Sequence, residues 1–140
     1  MKKTSQLEQY QRGNVFIAQC PSREVLNHIT SRWGILVLVA LNDGARHRFS
    51  GLKKRITGIS EKMLSQTLQT LERDGFLTRI AYPVVPPHVE YQLTQYGHTV
   101  TQKAAILVEW LEDNIIDIQR IQSRYDQARM AHESSLQAKK

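Results

Sequence analysis

One segment limits the possible folds of this chain more than any other. Leu64, Leu68 and Leu71 recur at spacings of four and three residues, which places them on one face of a helix. Ser60, just before them, is a favourable N-cap, and Gly75 is typical of the position just past a helix end. The pattern therefore predicts a helix that starts after Ser60, ends before Gly75 and buries one face.

The opposite side of this helix, residues 60–74, is polar along its whole length. It offers cations and amides, the groups that bond to phosphates and to base edges in a major groove of DNA. An ordinary solvent-facing stripe often has the same composition, so the stripe alone leaves both interpretations open. The predicted DNA contacts of this recognition helix are Ser60, Lys62, Ser65, Gln66, Gln69 and Arg73.

Shorter predicted elements surround this helix. In chain order they are a helix from Pro21, a buried helix over residues 33–41, a short strand within 46–49, a short helix over 50–56, the helix over 60–74, and strands over 76–82 and 88–93. A short helix, a turn and a longer helix form a helix-turn-helix, and the hairpin after it forms a wing. The predicted fold class is mainly α with a small β-hairpin wing.

The chain is predicted to divide into four segments. Apolar residues recur at alternating spacings of three and four in the C-terminal part, which is typical of helices that pair. Asp113–Asn114 could instead break that part into two helices. The segments are an N-terminal arm (1–19), a winged helix-turn-helix DNA-binding domain (20–94), a C-terminal helical dimerisation segment (95–131) and a flexible tail (132–140). The predicted contacts of a homodimer are Phe16, Leu107, Leu111, Ile115 and Ile118.

Positive charge is concentrated in the middle of the chain. Of a net charge of +6, residues 45–79 supply eight Lys and Arg against three Asp and Glu. A local basic patch suits the phosphates of duplex DNA, although a solvated surface with a mild basic bias would look the same. For His88 an ordinary surface position is the alternative. The predicted contacts to the DNA backbone and from the wing are Arg48, Lys53, Lys54, Arg55, Arg79 and His88.

Several classes of protein are not expected from this sequence. There is no glycine-rich phosphate loop and no nucleophile elbow, so an enzyme is not expected. The five histidines and the single cysteine show no metal-ligand spacing, so neither a metal nor a cofactor is expected. The longest apolar run, residues 35–41, is far shorter than the roughly 20 residues of a membrane span. With a polar N-terminus and one cysteine, the pattern predicts a cytoplasmic protein.

The stretch from Cys20 to Val100 resembles the HxlR-type family of winged helix-turn-helix regulators, and within it the YtfH-type branch. The matching motifs are Cys20–Pro21, Arg32–Trp33, Arg48–Phe49, Gly58–Leu64, Leu71–Gly75, Tyr82–Tyr91 and Leu93–Gly97. The resemblance implies a dimer that binds operator DNA, with residues 60–74 as recognition helix and terminal helices as dimer interface. The chain departs from the family pattern at Ser50, where Asn is usual, and in its longer C-terminal helix.

Cys20 is a further candidate site. Some members of the family sense oxidants or electrophiles through an N-terminal cysteine, and the start of a helix favours a thiolate. Arg23 is close in sequence and could add to this effect. The alternatives are a small apolar residue at the dimer interface or a helix cap. A small-molecule or oxidant effector is therefore possible but unidentified.

The sequence as a whole predicts a transcription regulator that recognises an inverted-repeat operator in double-stranded DNA as a homodimer. The alternative is a winged-helix module that binds protein or RNA without sequence-specific DNA binding, because a fold does not fix a function. The cationic and amide face of residues 60–74 favours the regulator.

Overall fold

The structure is a computed structural model that describes residues 12–139. Residues 1–11 of the predicted arm and Lys140 of the predicted tail lie outside the described residues. The elements are α1 (Pro21–Thr30), α2 (Arg32–Ala40), β1 (His47–Arg48), α3 (Phe49–Arg55), α4 (Glu61–Arg73), β2 (Leu77–Tyr82), β3 (His88–Leu93) and α5 (Gln95–Ala138). This order confirms the predicted winged helix-turn-helix. The chain divides after Ala105 into two compact units.

Helix α2 lies at the centre of the first unit. Its apolar sequence leaves almost no polar face, so the helix is stable only when it is surrounded. Val37 and Leu38 are fully buried in one cluster with Leu64, Leu68 and Leu71 of α4. The leucine face predicted for residues 60–74 is therefore the face that α4 turns to the core.

Local hydrogen bonds explain where α2 and α4 begin and end. The Ser31 hydroxyl accepts a hydrogen bond from the Gly34 amide at 3.1 Å, and the Ser60 hydroxyl accepts one from the Met63 amide at 3.0 Å. Each bond satisfies an amide that has no partner within the first helical turn. After α4, Gly75 adopts a φ of +84°, a conformation that other residues rarely adopt.

The three strands form an antiparallel sheet in the order β1-β3-β2. Leu77 pairs with Leu93 at one end of the hairpin and Tyr82 pairs with His88 at the other. Tyr91 and Leu93 of β3 are buried with Leu77, so one face of the sheet closes the core. The loop 83–87 projects beyond the pair Tyr82–His88 and forms the tip of the wing.

The start of α5 belongs to the first unit. A Cβ on Gly97 would lie 1.8 Å from the Phe76 carbonyl oxygen, so only glycine permits this approach of the helix. Thr94 links the same elements, because its hydroxyl donates to the Gly75 carbonyl and accepts from the Gly97 amide. The compact unit therefore extends to Ala105, past the domain boundary that the sequence predicted at residue 94.

Helix α5 is longer than the sequence predicted. It continues to Ala138, so residues 132–138 of the predicted flexible tail are helical. The reason is composition, because no glycine or proline follows Gly97 and helix-forming residues dominate. The pair Asp113–Asn114 does not break the helix, and the Asn114 side chain donates through Nδ2 to the Trp110 carbonyl at 2.8 Å. Over residues 12–139, none of the helices combines the length and apolarity that a membrane span requires.

Candidate nucleic-acid interface

The outer face of α4 is uncovered. While the leucines of this helix are buried, the six residues predicted to contact DNA are all exposed. The structure therefore brings these six together on one continuous surface, because helical spacing and leucine burial fix their direction. They are Ser60, Lys62, Ser65, Gln66, Gln69 and Arg73.

The first turn of α4 offers two kinds of donor at this surface. The amides at a helix N-terminus have no partners within the helix, and the helix dipole favours an anion beside them. Lys62 adds a full positive charge in the same turn. The Ser60 hydroxyl is already used as the cap, since it accepts from the Met63 amide. Ser60 therefore positions the turn, whereas the exposed Lys62 has no ion-pair partner among residues 12–139 and can bind an anion.

A second group of cations lies on α3. Lys53, Lys54 and Arg55 occupy its last turn, where the negative end of the helix dipole stabilises positive charge. Lys54 and Arg55 are exposed, and Lys53 is half-buried. A shallow cavity of about 280 Å³ between α3 and the start of α4 is bordered by both lysines and by Glu61. The helix-turn-helix thus presents cations on both of its helices.

The wing holds an internal network that includes His88. The His88 Nε2 atom lies 3.2 Å from the Glu90 Oε1 atom, and its ring packs edge-on against Tyr82 with centroids 4.9 Å apart. His88 is half-buried in this arrangement. The sequence predicted His88 as a DNA contact, but the structure gives its ring two partners within the sheet.

Arg46, which was not among the predicted DNA contacts, joins this network. Its Nη1 atom donates to the Tyr82 hydroxyl at 2.6 Å. The Tyr82 hydroxyl, with a smaller effect of His88, holds the pKa of the Glu90 carboxyl below its usual range. The four side chains come together through strand register, since Tyr82 lies opposite His88, and no local motif indicates that pairing.

The remaining wing cations lie on the strands. Arg79 is exposed and pairs in register with Tyr91, and Arg48 is exposed and pairs with Glu90. The tip of the wing, residues 83–87, contains three prolines and two exposed valines and no ionisable side chain. Positive charge on the wing therefore lies at its base and strands.

Comparison with known proteins identifies the architecture. The sequence profile of the HxlR-like helix-turn-helix family matches residues 28–119. The chain belongs to this family. An uncharacterized HTH-type transcriptional regulator of Escherichia coli strain K12, YtfH, is 59% identical over 118 residues, which are 84% of this chain and 93% of that protein. This HxlR-like chain is therefore a transcriptional regulator of the helix-turn-helix type.

Solved structures agree with this assignment. The regulator YtfH from Salmonella typhimurium is 57% identical with a TM-score of 0.77, and the match covers 80% of this chain and 99% of that one. The redox regulator HypR in its reduced form is 31% identical with a TM-score of 0.64, over 71% of this chain and 97% of its own. The winged helix-turn-helix fold of this HxlR-like chain is thus shared with both.

Cys20 of this HxlR-like regulator is buried at the N-cap position of α1. Its Sγ atom lies 3.1 Å from the Ser22 Oγ atom and accepts a hydrogen bond from the Asn14 amide at 3.3 Å. These bonds, with that of Ser22 as the larger contribution, lower the pKa of the Cys20 thiol. Arg23 was expected near the thiolate, but its guanidinium donates to the carbonyls of Val15 and Phe16.

Next to Cys20 lies a cavity of about 580 Å³. Its lining combines apolar side chains with polar groups from the segment before α1. Phe16, predicted as a dimer contact, is 87% exposed within this segment. The segment therefore presents apolar surface outward. The described residues that line the cavity are Arg12, Gly13, Asn14, Val15, Phe16, Ile17 and Cys20.

The second unit, helix α5 from Ile106 onward, has apolar side chains on its surface. Leu107, Leu111 and Ile115 are exposed and Ile118 is half-buried. These four were predicted as dimer contacts, and helical spacing places them along one side of α5. Contiguous exposed apolar surface of this kind is typical of an interaction site. Other exposed apolar residues of the unit are Ile106, Trp110, Ile116, Ile121, Tyr125, Met130 and Leu136.

Proposed function

We propose that this regulator recognises a partly inverted-repeat operator in double-stranded DNA as a homodimer. Each copy places its helix α4 in the major groove, and the two helices enter successive grooves roughly 34–36 Å apart. The observation that supports this proposal most is the exposed outer face of α4, which offers cations and amides.

Different residues have different roles in this proposal. Gln66 and Gln69 read base edges, because an amide bonds to adenine at two positions. Lys62 and Arg73 bind guanine or phosphate from the same face. Lys54, Arg55, Arg48 and Arg79 bind phosphates and set the register of the protein on the duplex. His88 supports the wing through Glu90 rather than contacting DNA.

Binding to duplexes at two salt concentrations tests this proposal. A duplex selected by the protein from a random-sequence pool is compared with a scrambled duplex of the same length. We expect affinity that falls steeply with salt on both and is higher for the selected duplex. Gln66→Ala should weaken binding to the selected duplex by about 1–3 kcal/mol, with little effect on binding to the scrambled one. Lys54→Ala should weaken binding to both duplexes by the same factor.

The same experiment distinguishes the alternative function. A winged helix that binds only protein would show no duplex binding at low salt. One that binds RNA would prefer an RNA duplex or single strand of the same sequence. Either result would overturn the proposed DNA-binding role, because the outer face of α4 would then serve another partner.

We propose that the dimer forms through Leu107, Leu111, Ile115 and Ile118 of α5 together with Phe16. Burial of their apolar side chains by a second copy removes apolar surface from water. Sedimentation equilibrium at micromolar concentration should show a dimer, and Leu111→Lys should shift it towards monomer. Gln127→Lys is the matched control, since it adds the same charge on the opposite side of α5. A monomeric unaltered protein would contradict the proposal.

We further propose Cys20 as a site of response to oxidants. Two observations support it: hydrogen bonds to Ser22 and Asn14 lower the pKa of its thiol, and the similar protein HypR is a redox regulator. A peroxide would oxidise the Cys20 thiols of two copies to one disulfide, with two electrons and two protons passing to the peroxide to form water. Peroxide should change the affinity for the selected duplex in the unaltered protein and not in Cys20→Ser. Equal behaviour of both proteins would contradict this role.

A further inference from the structure

A short polar contact joins α1 to the end of α4. The His28 Nδ1 atom lies 2.6 Å from the Asp74 Oδ2 atom, although the two residues are 46 positions apart in the sequence. The side chain of Asp74 is 5% exposed and that of His28 is 22% exposed. A carboxylate can only accept, so the His28 ring donates through Nδ1. Bonds of this length and burial to a charged group are among the stronger hydrogen bonds in proteins.

The position of Asp74 makes this contact necessary. Asp74 is the C-cap residue of α4, where the negative end of the helix dipole opposes a carboxylate. A buried carboxylate that loses its donor is strongly unfavourable. Glu24 approaches the other ring nitrogen of His28 at 3.9 Å, so the ring lies between two carboxylates. His28 therefore stabilises the end of α4 in this place, because it supplies the hydrogen bond that the buried carboxylate needs.

Packing alone does not fix the spacing between α1 and α4. None of the residues of α1 is fully buried, although Ile29 packs against the core. A cavity of about 230 Å³ lies between the two helices, bordered by Asn27 and His28 on one side and by Met63, Gln66 and Thr70 on the other. This space is an open groove, so the side chains that face each other across it make few contacts. The bond between His28 and Asp74 is thus a principal constraint on this side of α4.

We infer that His28 is a positioning residue for DNA recognition. Through Asp74 it sets the orientation of α4, and with it the direction of Gln66, which borders the same cavity. It also connects α4 to α1, the helix whose N-cap is Cys20, so a displacement of α1 reaches the recognition helix through this bond. This inference rests on the proposed function, and it adds a residue that touches no DNA but determines sequence preference.

Three variants test the role of His28. His28→Gln removes the donor at the Nδ1 position, His28→Asn places an amide N–H near that position, and Glu24→Gln changes the exposed neighbour only. Affinity is measured for the selected and the scrambled duplex, at a temperature below the unfolding midpoint of every variant. We expect His28→Gln to lower the ratio of the two affinities roughly tenfold, whereas His28→Asn and Glu24→Gln stay within about threefold.

Asp74→Asn and the double variant complete the test. If the two residues act as a pair, His28→Gln with Asp74→Asn lowers the affinity ratio no further than either change alone. A lower unfolding midpoint with an unchanged ratio would show a merely structural role and overturn the inference. An unaltered protein that binds no duplex would overturn the proposed function itself, which is a different result.

The exchanged pair covers the case in which single variants do not fold. His28→Asp with Asp74→His keeps one ring and one carboxylate in contact and puts the ring at the end of α4, where the dipole favours it. Recovery of folding and of the affinity ratio supports the inference. A folded exchanged protein that binds both duplexes equally overturns it.

Discussion

The two units of this regulator use the same apolar residue types in opposite ways. In the first unit Leu64, Leu68 and Leu71 of α4 are buried in one cluster with Val37 and Leu38 of α2, and the side of α4 opposite these leucines is polar. In the second unit Leu107, Leu111 and Ile115 are exposed along a helix of which few side chains are covered. The first unit therefore closes its own core, whereas the second has apolar surface that water disfavours.

This difference shows what each unit needs for stability. The first unit caps α2 and α4 with serine side chains and packs its apolar faces against one another, so its stability should depend less on protein concentration than that of the second unit. A helix that displays apolar residues gains stability when a second copy covers them, and that gain depends on concentration. Four substitutions sharpen or break this comparison.

The largest effect is expected from Leu68→Ala. Truncation of this fully buried leucine should lower the free energy of unfolding by about 2–5 kcal/mol. The reason is that the neighbouring side chains lose their contacts with the removed methyl groups and a cavity remains. Urea unfolding, followed through a signal from the first unit, should give the same loss of unfolding free energy at low and high protein concentration. Leu111→Ala is the matched control, and its effect should grow with concentration. If both variants behave alike, the distinction between the units is wrong.

A smaller effect is expected from Gly97→Ala at the start of α5. The added methyl group would meet the Phe76 carbonyl, so α5 must shift, at a cost of about 1–3 kcal/mol. Gly51→Ala on α3 is the control, because nothing lies within 4 Å of its added Cβ. That control should stabilise the protein by up to about 1 kcal/mol in thermal or urea unfolding. Equal stability of the two variants would contradict the inclusion of α5's first turns in the first unit.

Ser60→Ala should lower the free energy of unfolding by about 1 kcal/mol, because the Met63 amide loses its capping partner. Ser135→Ala, on the exposed part of α5, should change the free energy of unfolding by no more than about 0.5 kcal/mol. Urea titration of both variants measures the difference. A loss for Ser135→Ala as large as that for Ser60→Ala would mean that the second unit also depends on local side-chain bonds.

The smallest change is expected from Ser22→Ala, which acts on a pKa rather than on folding. Without the Ser22 hydroxyl the Cys20 thiolate loses its main hydrogen bond, so the pKa of Cys20 should rise. At neutral pH the thiolate fraction should therefore fall. The ultraviolet absorbance of the thiolate measures this cleanly, since Cys20 is the single cysteine of the chain. An unchanged titration would show that the backbone amides of Asn14 and Ser22 determine the shift.

The elements of the first unit were predictable because their signals are local. Helix α4 was predicted over residues 60–74 and spans Glu61–Arg73, since a serine cap, three spaced leucines and a glycine stop lie within the same segment. The hairpin was predictable because apolar and polar residues alternate along its second strand and a proline-rich loop precedes that strand. The match to the HxlR-like family confirms the architecture that these patterns predicted.

The contacts between distant residues were not predictable from the same patterns. Nothing near His28 indicates that Asp74 is its partner, and nothing near His88 indicates that Tyr82 and Glu90 enclose its ring. These pairs depend on how α1 meets α4 and on strand register. The end of α5 was missed for another reason: a polar composition suggested a frayed tail, but helix propensity without glycine or proline continues the helix to Ala138.

The tip of the wing has a consequence for how ions take part in binding. A loop made of prolines and valines carries no formal charge, so it displaces no condensed cation when it approaches a phosphate. The number of counterions that the proposed complex releases should therefore equal the number of phosphates neutralised by α3, α4 and the strands alone. Substitutions of Val85 would then alter contact and shape while leaving that number unchanged.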